Sequence, residues 1–328
     1  MTTIYLSSPS TAIYAAKMVD TIYIAFAVAS AVIFIPGVVL NFLICLVFYK
    51  NEQFRTPPNV FIASVAASDL LYSATTLPLL IVTNAYGRWI YGEKGCKAAA
   101  FITAFSGLVS MMHLAAASYE RYTVLAFPLT SRTTITFQKA VRISVALWSY
   151  SLFWSVMPLC GWSGYAQEGV GTSCALRWRS SQKIDLTFNI CLIFASYLLP
   201  VCVMGFSYFK CCKEIVAGTR RAKIIWGKSS NFTRKATEVK HKMLILFGIM
   251  TVAFIMAWTP YATVSLISMI GGPYVISDVT ASVPAYLAKS SYCINPIIYV
   301  FRNKRLRRQI KCIKIGRASC RERVCQYV

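Results

Sequence analysis

Lys289 stands in the middle of an apolar run, Tyr286-Leu287-Ala288-Lys289-Ser290-Ser291-Tyr292, inside the longer apolar stretch 279–301. An ammonium at mid-depth of such a segment costs about 3 kcal/mol on insertion scales. The position is too far from either end for the side chain to reach water. Its amine must therefore be paired or converted. Few partners exist, because the chain holds only eleven carboxylates. Asp69 is the one carboxylate well inside the first two apolar stretches. It reads either as a structural pair with Asn41 or Asn295 or as a cation or proton site. Glu120-Arg121-Tyr122 closes the third stretch, where opposite charges can be plain interfacial anchors. Glu168 lies in a glycine-rich loop, as a solvated carboxylate or as a group hung over the bundle mouth. Six residues beyond Lys289 comes Asn295-Pro296-Ile297-Ile298-Tyr299.

These groups need apolar helices to carry them. Mean hydropathy is +0.56, too apolar for a soluble domain. Seven stretches are long enough to cross a hydrocarbon core about 30 Å thick: 22–49, 59–83, 98–127, 141–160, 186–209, 243–270 and 279–301. The reading is an all-α, seven-span bundle with an N-terminus at 1–21, a membrane domain at 22–301 and a tail at 302–328. The net charge of +23 invites a nucleic-acid partner. Its placement argues against one, because basic residues bunch in 210–242 and 302–323, on one side of the seven spans. The positive-inside rule then puts the N-terminus outside and the tail in the cytosol. The same basic loops can lie against anionic lipid. Most of the twelve cysteines sit among apolar neighbours. Cys96 and Cys174 differ: both fall on the oxidising side, which permits a disulfide. No metal-type Cys/His spacing occurs, and His113 and His241 are the only histidines.

Trp258 lies two residues before Pro260 in the sixth span, as core packing or as a hinge able to hold two states. The linker 217–237 is polar and basic, expected to be partly disordered or a helical extension. The tail from Ile315 fits no pattern and reads as non-native sequence.

Together these residues resemble the rhodopsin-like G-protein-coupled receptors across Gly37 to Lys304. The matches are Asn41, Asp69, Cys96, Glu120-Arg121-Tyr122, Trp148, Pro200, Trp258-Thr259-Pro260 and Asn295-Pro296-Ile297-Ile298-Tyr299. Within that family the chain is similar to the opsins. Lys289 matches their retinal-binding lysine, and Gly161-Trp162-Ser163-Gly164-Tyr165-Ala166-Gln167-Glu168 with Cys174 matches their plug. The subgroup it most resembles is the non-visual ciliary opsins, such as encephalopsin and the teleost multiple-tissue opsins. That placement is carried by Glu168-Gly169-Val170-Gly171-Thr172-Ser173-Cys174 and Ser291-Tyr292-Cys293-Ile294-Asn295-Pro296.

The resemblance implies a light-activated receptor of the plasma membrane, not an enzyme. It implies 11-cis-retinal bound as a protonated Schiff base at Lys289. A buried cation of that kind needs a counter-charge. Where vertebrate visual opsins carry a glutamate this chain has Ala99, and Glu168 matches the other, ancestral counterion position. Opsins of that design keep their photoproduct, so bistability is implied. The matching pocket positions are Gly107, Phe254, Trp258, Tyr261 and Ala288, with Trp178 on the plug. Isomerisation would push on Trp258, and the sixth span would pivot at Pro260. Arg121, freed from Glu120, would receive a G protein, with Tyr122, Tyr208, Asn295, Pro296 and Tyr299 around it. Asn41 and Asp69 would form the polar network, and Cys96 and Cys174 the disulfide. A heterotrimeric G protein of the inhibitory or stimulatory type is expected rather than one coupled to phospholipase, with arrestin as a further partner. Two departures stand out. Lys240 replaces an acidic lock on the arginine, with Glu238 two positions off, and Arg177 takes a plug position that is acidic in vertebrate rhodopsin. Two other readings use the same bundle: a receptor for a diffusible ligand with Lys289 non-covalent, and a retinal photoisomerase.

Overall fold

In lipid, a long apolar segment must satisfy its own backbone, so it becomes a helix. The structure, a computed structural model, describes residues 9–126, 135–226, 231–272 and 274–315. Its order is α1 (Pro9–Lys50), α2 (Pro57–Ala85), α3 (Gly92–Ala126), α4 (Phe137–Val156), β1 (Tyr165–Glu168), β2 (Ser173–Leu176), α5 (Lys183–Ile193), α6 (Leu199–Trp226), α7 (Asn231–Gly271), α8 (Asp278–Arg302) and α9 (Lys304–Ile315). A π-helical turn, Phe194–Leu198, joins α5 to α6 into one span. Pro200, two residues past the turn, offers no N–H to Ser196, which is the reason the α ladder gives way there.

Among the described residues, six spans are long and apolar enough to cross a bilayer: Asp20–Lys50, Pro57–Ala85, Gly92–Ala126, Phe137–Leu159, Lys183–Arg221 and Gly248–Gly271. The seventh, α8, has 25 residues, about 37 Å of helix. Its apolar character is diluted by Ser282, Lys289, Ser291 and Asn295, all of them buried in the bundle. Exposed Ile24, Val28, Val32, Ile35, Val39 and Phe42 recur every three or four residues on α1, which marks the face that meets lipid. The chain is a multi-pass membrane protein.

Helix ends follow their sequences. Pro57 and Pro58 open α2, where a missing N–H costs nothing. Ser277 caps α8 by accepting from Thr280 N at 3.2 Å. Asn303 ends α8 and its Oδ1 caps α9 at Leu306 N, 3.0 Å. α3 runs through the middle, against α2, α4, α6, α7 and both strands. β1 and β2 form an antiparallel hairpin in the register Gln167↔Cys174 and Glu168↔Ser173. The core divides in two. One cluster, with Val47, Phe61, Leu114, Met204, Met250 and Leu306, fills the end near α9. The other, with Tyr72, Leu77, Tyr165, Leu176, Phe188 and Tyr292, lies near the hairpin. Trp258 packs against both.

The helices outrun their apolar windows. α1 begins at Pro9, although its membrane-length window starts at Asp20, close to the expected 22, and α6 and α7 run as helix into the two ends of 217–237, the helical extension among the two expected forms of that linker. Helix continues past the apolar window because nothing in 10–21 or 210–226 breaks it. The expectations for Lys240 and Glu238 concern side chains outside those described, and the tail 316–328 lies outside as well.

Candidate functional site

The hairpin is held over the bundle by five ties. Cys96 at the start of α3 is bonded to Cys174 in β2, with Cα atoms 5.4 Å apart. Thr83 of α2 donates to Thr172 O at 2.7 Å, and Trp89 N donates to Gly171 O at 3.0 Å. Ser282 Oγ of α8 accepts from Val170 N at 3.1 Å. Gly169 makes that approach possible: its φ is +57°, and a side chain there would run into Ser282. Tyr165 OH donates to Ser155 O at 2.8 Å. Burial pushes this phenol above its ordinary value, so it stays a neutral donor.

Beneath the hairpin is a cavity of about 130 Å³. It is lined by α3, the hairpin, the π turn, α7 and α8, mostly through apolar side chains. Lys289 enters it from α8 and is 5% exposed. Its Nζ lies 3.7 Å from Glu168 Oε2 at the end of β1. The other carboxylate oxygen accepts from Tyr261 OH at 2.6 Å, and Tyr261 accepts from Trp178 Nε1 at 2.7 Å. The two charges thus meet in an apolar chamber, each with a second partner. For Lys289 that partner is the face of Tyr286, 5.1 Å from Nζ. Arg177 has its guanidinium across Gly164. It forms no ion pair with Glu168 among the described residues.

Gly107, Phe254, Trp258, Tyr261, Trp178 and Ala288 all line this cavity. Phe254 and Trp258 stack, centroids 5.6 Å apart. A methyl on Gly107 would stand 2.8 Å from the Trp258 ring, so only glycine leaves room for the indole. Trp258 Nε1 donates to Ser291 Oγ at 3.1 Å, tying α7 to α8.

The second group lies deeper. Ser110 donates to Asp69 Oδ1 at 2.6 Å and Asn295 Nδ2 to Oδ2 at 3.3 Å. Asn41 turns elsewhere, donating to Gly37 O at 2.7 Å and Tyr292 O at 3.0 Å. Of the two amides weighed as partners for Asp69, Asn295 is the one that bonds it. Toward the α9 end, Arg121 Nε donates to Glu120 Oε2 at 2.6 Å, and Glu120 is almost fully buried. Tyr122 meets Phe206 of α6 edge-on at 5.7 Å. Tyr299 donates to Asn59 Oδ1 at 3.0 Å, one turn beyond the buried Pro296. Tyr208 is partly exposed and its ring lies on Gly248 of α7.

Two residues were not singled out from the sequence. Tyr286 sits three residues before Lys289, on the same helical face, and that spacing could have found it. Ser291 has no such signal, because its role depends on where the Trp258 indole falls.

The description "7 transmembrane receptor (rhodopsin family)" matches residues 40–299. Among known proteins the chain is 34% identical over 265 residues to Melanopsin-B of Xenopus laevis, covering 80% of this chain and 49% of that protein. It is 34% identical over 278 residues to Melanopsin of Podarcis siculus, covering 84% and 58%. It is 33% identical over 273 residues to a G0-coupled rhodopsin of Mizuhopecten yessoensis, covering 83% and 68%. The chain therefore spans about half to two thirds of the length of these relatives. The crystal structure of squid rhodopsin superimposes with a TM-score of 0.80 at 25% identity, covering 90% of this chain and 86% of that one. The chain belongs to the rhodopsin family of seven-transmembrane receptors and, within it, to the opsins.

Proposed function

We propose that the protein is a light-activated receptor that holds retinal at Lys289 and signals to a heterotrimeric G protein. The observation that carries this is the Lys289–Glu168 pair, 3.7 Å apart in an apolar cavity. The residues fit the group: one buried primary amine for an aldehyde, one carboxylate for the charge, and a cleared wall at Gly107 for a bulky apolar body. Retinal, held covalently by that amine in its 11-cis form, supplies absorption of visible light and a change of shape. The chain supplies the rest. Glu168 keeps a proton on the Lys289 nitrogen. The hairpin keeps water out. Trp258 stands between the two halves of the core, next to Pro260, and passes strain from the cavity to α7. Opening at the α9 end would free Arg121 from Glu120 to receive the G protein.

The N-terminus is placed outside and α9 in the cytosol of the plasma membrane, on the basic bias of the α6–α7 and α9 segments. The G0-coupled name of one relative supports a G-protein partner; an inhibitory or stimulatory type and arrestin follow from the resemblance. A non-visual, bistable pigment related to encephalopsin rests on Glu168 with Ala99, and on the runs 168–174 and 291–296. The membrane domain takes 22–301, between an N-terminal segment 1–21 and a tail 302–328.

The test is the absorption spectrum of purified protein reconstituted with 11-cis-retinal, as wild type and Glu168→Gln. The expected result is a visible band in wild type that moves to the near ultraviolet in the variant at neutral pH. A visible band in both would place the counter-charge elsewhere. Folded wild type that takes neither 11-cis- nor all-trans-retinal would overturn the reading in favour of a diffusible ligand.

A further inference from the structure

Glu168, Leu176, Trp178, Tyr261 and Ser265 line both the cavity at Lys289 and a second one of about 240 Å³, which also touches Gln167, Arg177, Arg179 and Ser180. Across this shared wall the hydrogen bonds run in one direction. An indole N–H only donates, and a phenol has one proton. Trp178 Nε1 gives its hydrogen to the Tyr261 oxygen at 2.7 Å. The Tyr261 proton then goes to Glu168 Oε1 at 2.6 Å. Reversing the second bond would leave the phenolic proton without an acceptor among the described residues, an unmet buried donor. A proton on the other carboxylate oxygen would instead point at Lys289 Nζ, 3.7 Å away.

From this chain of bonds we infer that Trp178 is a positioning residue. Through Tyr261 it fixes the direction of the relay, so that Glu168 serves only as an acceptor and hence as the charged partner of Lys289. Donation into the Tyr261 oxygen also polarises its O–H and strengthens the bond onward. The residue is held to its task from both sides. Trp178 N donates to Leu176 O at 2.9 Å, and the next residue, Arg179, is clasped by Asp278 and Ile276 O. The ionisable groups near Glu168 are Lys289 and Tyr286 of α8, Tyr261 of α7, Tyr72 of α2, and Arg177 and Arg179 of the segment that follows β2. Of these only Tyr261 donates to it. This inference rests on the proposed retinal reading.

The experiment is a pH titration of the absorption band in wild type, Trp178→Phe, Trp178→Tyr, Tyr261→Phe and the double Phe variant. Loss of the donor should move the acid-side spectral transition to higher pH by about one unit, a tenfold change. Tyr261→Phe should move it at least as far, and the double variant no further. Trp178→Tyr, which can donate or accept, should fall between. An unchanged midpoint in Trp178→Phe, or additive shifts in the double variant, would overturn the inference. Should wild type form no pigment, the functional reading fails on its own, and the relay is read without ligand. In protein with ¹⁵N-labelled indoles, the signal lost in Trp178→Phe should move in Tyr261→Phe. If it stays in place, the relay is wrong.

Discussion

At Gly107 one hydrogen atom separates a working cavity from a blocked one. Gly107→Ala would press a methyl on the Trp258 ring, and overpacking of this kind costs about 1–3 kcal/mol. Its pigment yield with retinal should fall and its band should shift, while the apo-protein still folds. At Tyr286 the face of the ring matters more than the hydroxyl. Tyr286→Phe should keep the visible band, whereas Tyr286→Leu should lower the pH at which the band is lost on the alkaline side, because the Lys289 cation loses its π partner. Asp185 is the opposite case. It is 1% exposed and neither oxygen has a hydrogen-bond partner among the described residues. Asp185→Asn removes an uncompensated buried carboxylate, so thermal unfolding of the purified receptor should occur at equal or higher temperature. From the sequence, Lys289 was legible because a charge in an apolar run has to be explained, whereas Glu168, in a glycine-rich loop, stood out only through the resemblance to opsins. The bond from Trp178 to Tyr261 was not, since it joins residues 83 apart whose side-chain directions only the fold decides.

Among the elements, the hairpin is the one whose place is least secured by hydrophobic length. Two four-residue strands cannot hold themselves. The bond from Cys96 to Cys174 closes a loop of 78 residues, worth about 4.5 kcal/mol in a loop-entropy account. Cys96→Ser should leave helical circular dichroism near wild type and abolish stable pigment. The apolar windows were readable as spans because lipid permits little else. The true ends of α1, α6 and α7 were not, because outside the membrane a polar helix and a polar linker share one composition. The break at Phe194–Leu198 is explained by Pro200 once seen, though proline alone does not say whether a helix kinks, ends or widens.

In the whole molecule, two cores meet at a single indole, and the pairs at either end belong to different tasks. Arg121→Gln removes the donor to Glu120 without touching the cavity. It should leave the absorption band unchanged and eliminate light-driven nucleotide exchange on the G protein. Changes at Glu168 should do the reverse and alter the spectrum first. The fold was legible at this scale because motif order and span order agree. The orientation of Asn41 was not, because an amide in lipid can satisfy itself on any passing carbonyl. In the hairpin register, Cys174 lies opposite Gln167 and Glu168 follows directly. A covalent sulfur tie therefore sits one residue from the carboxylate that faces Lys289. The colour of such a receptor is then partly a record of its secretory history: a molecule assembled without an oxidant would cross the membrane correctly and still be blind to visible light.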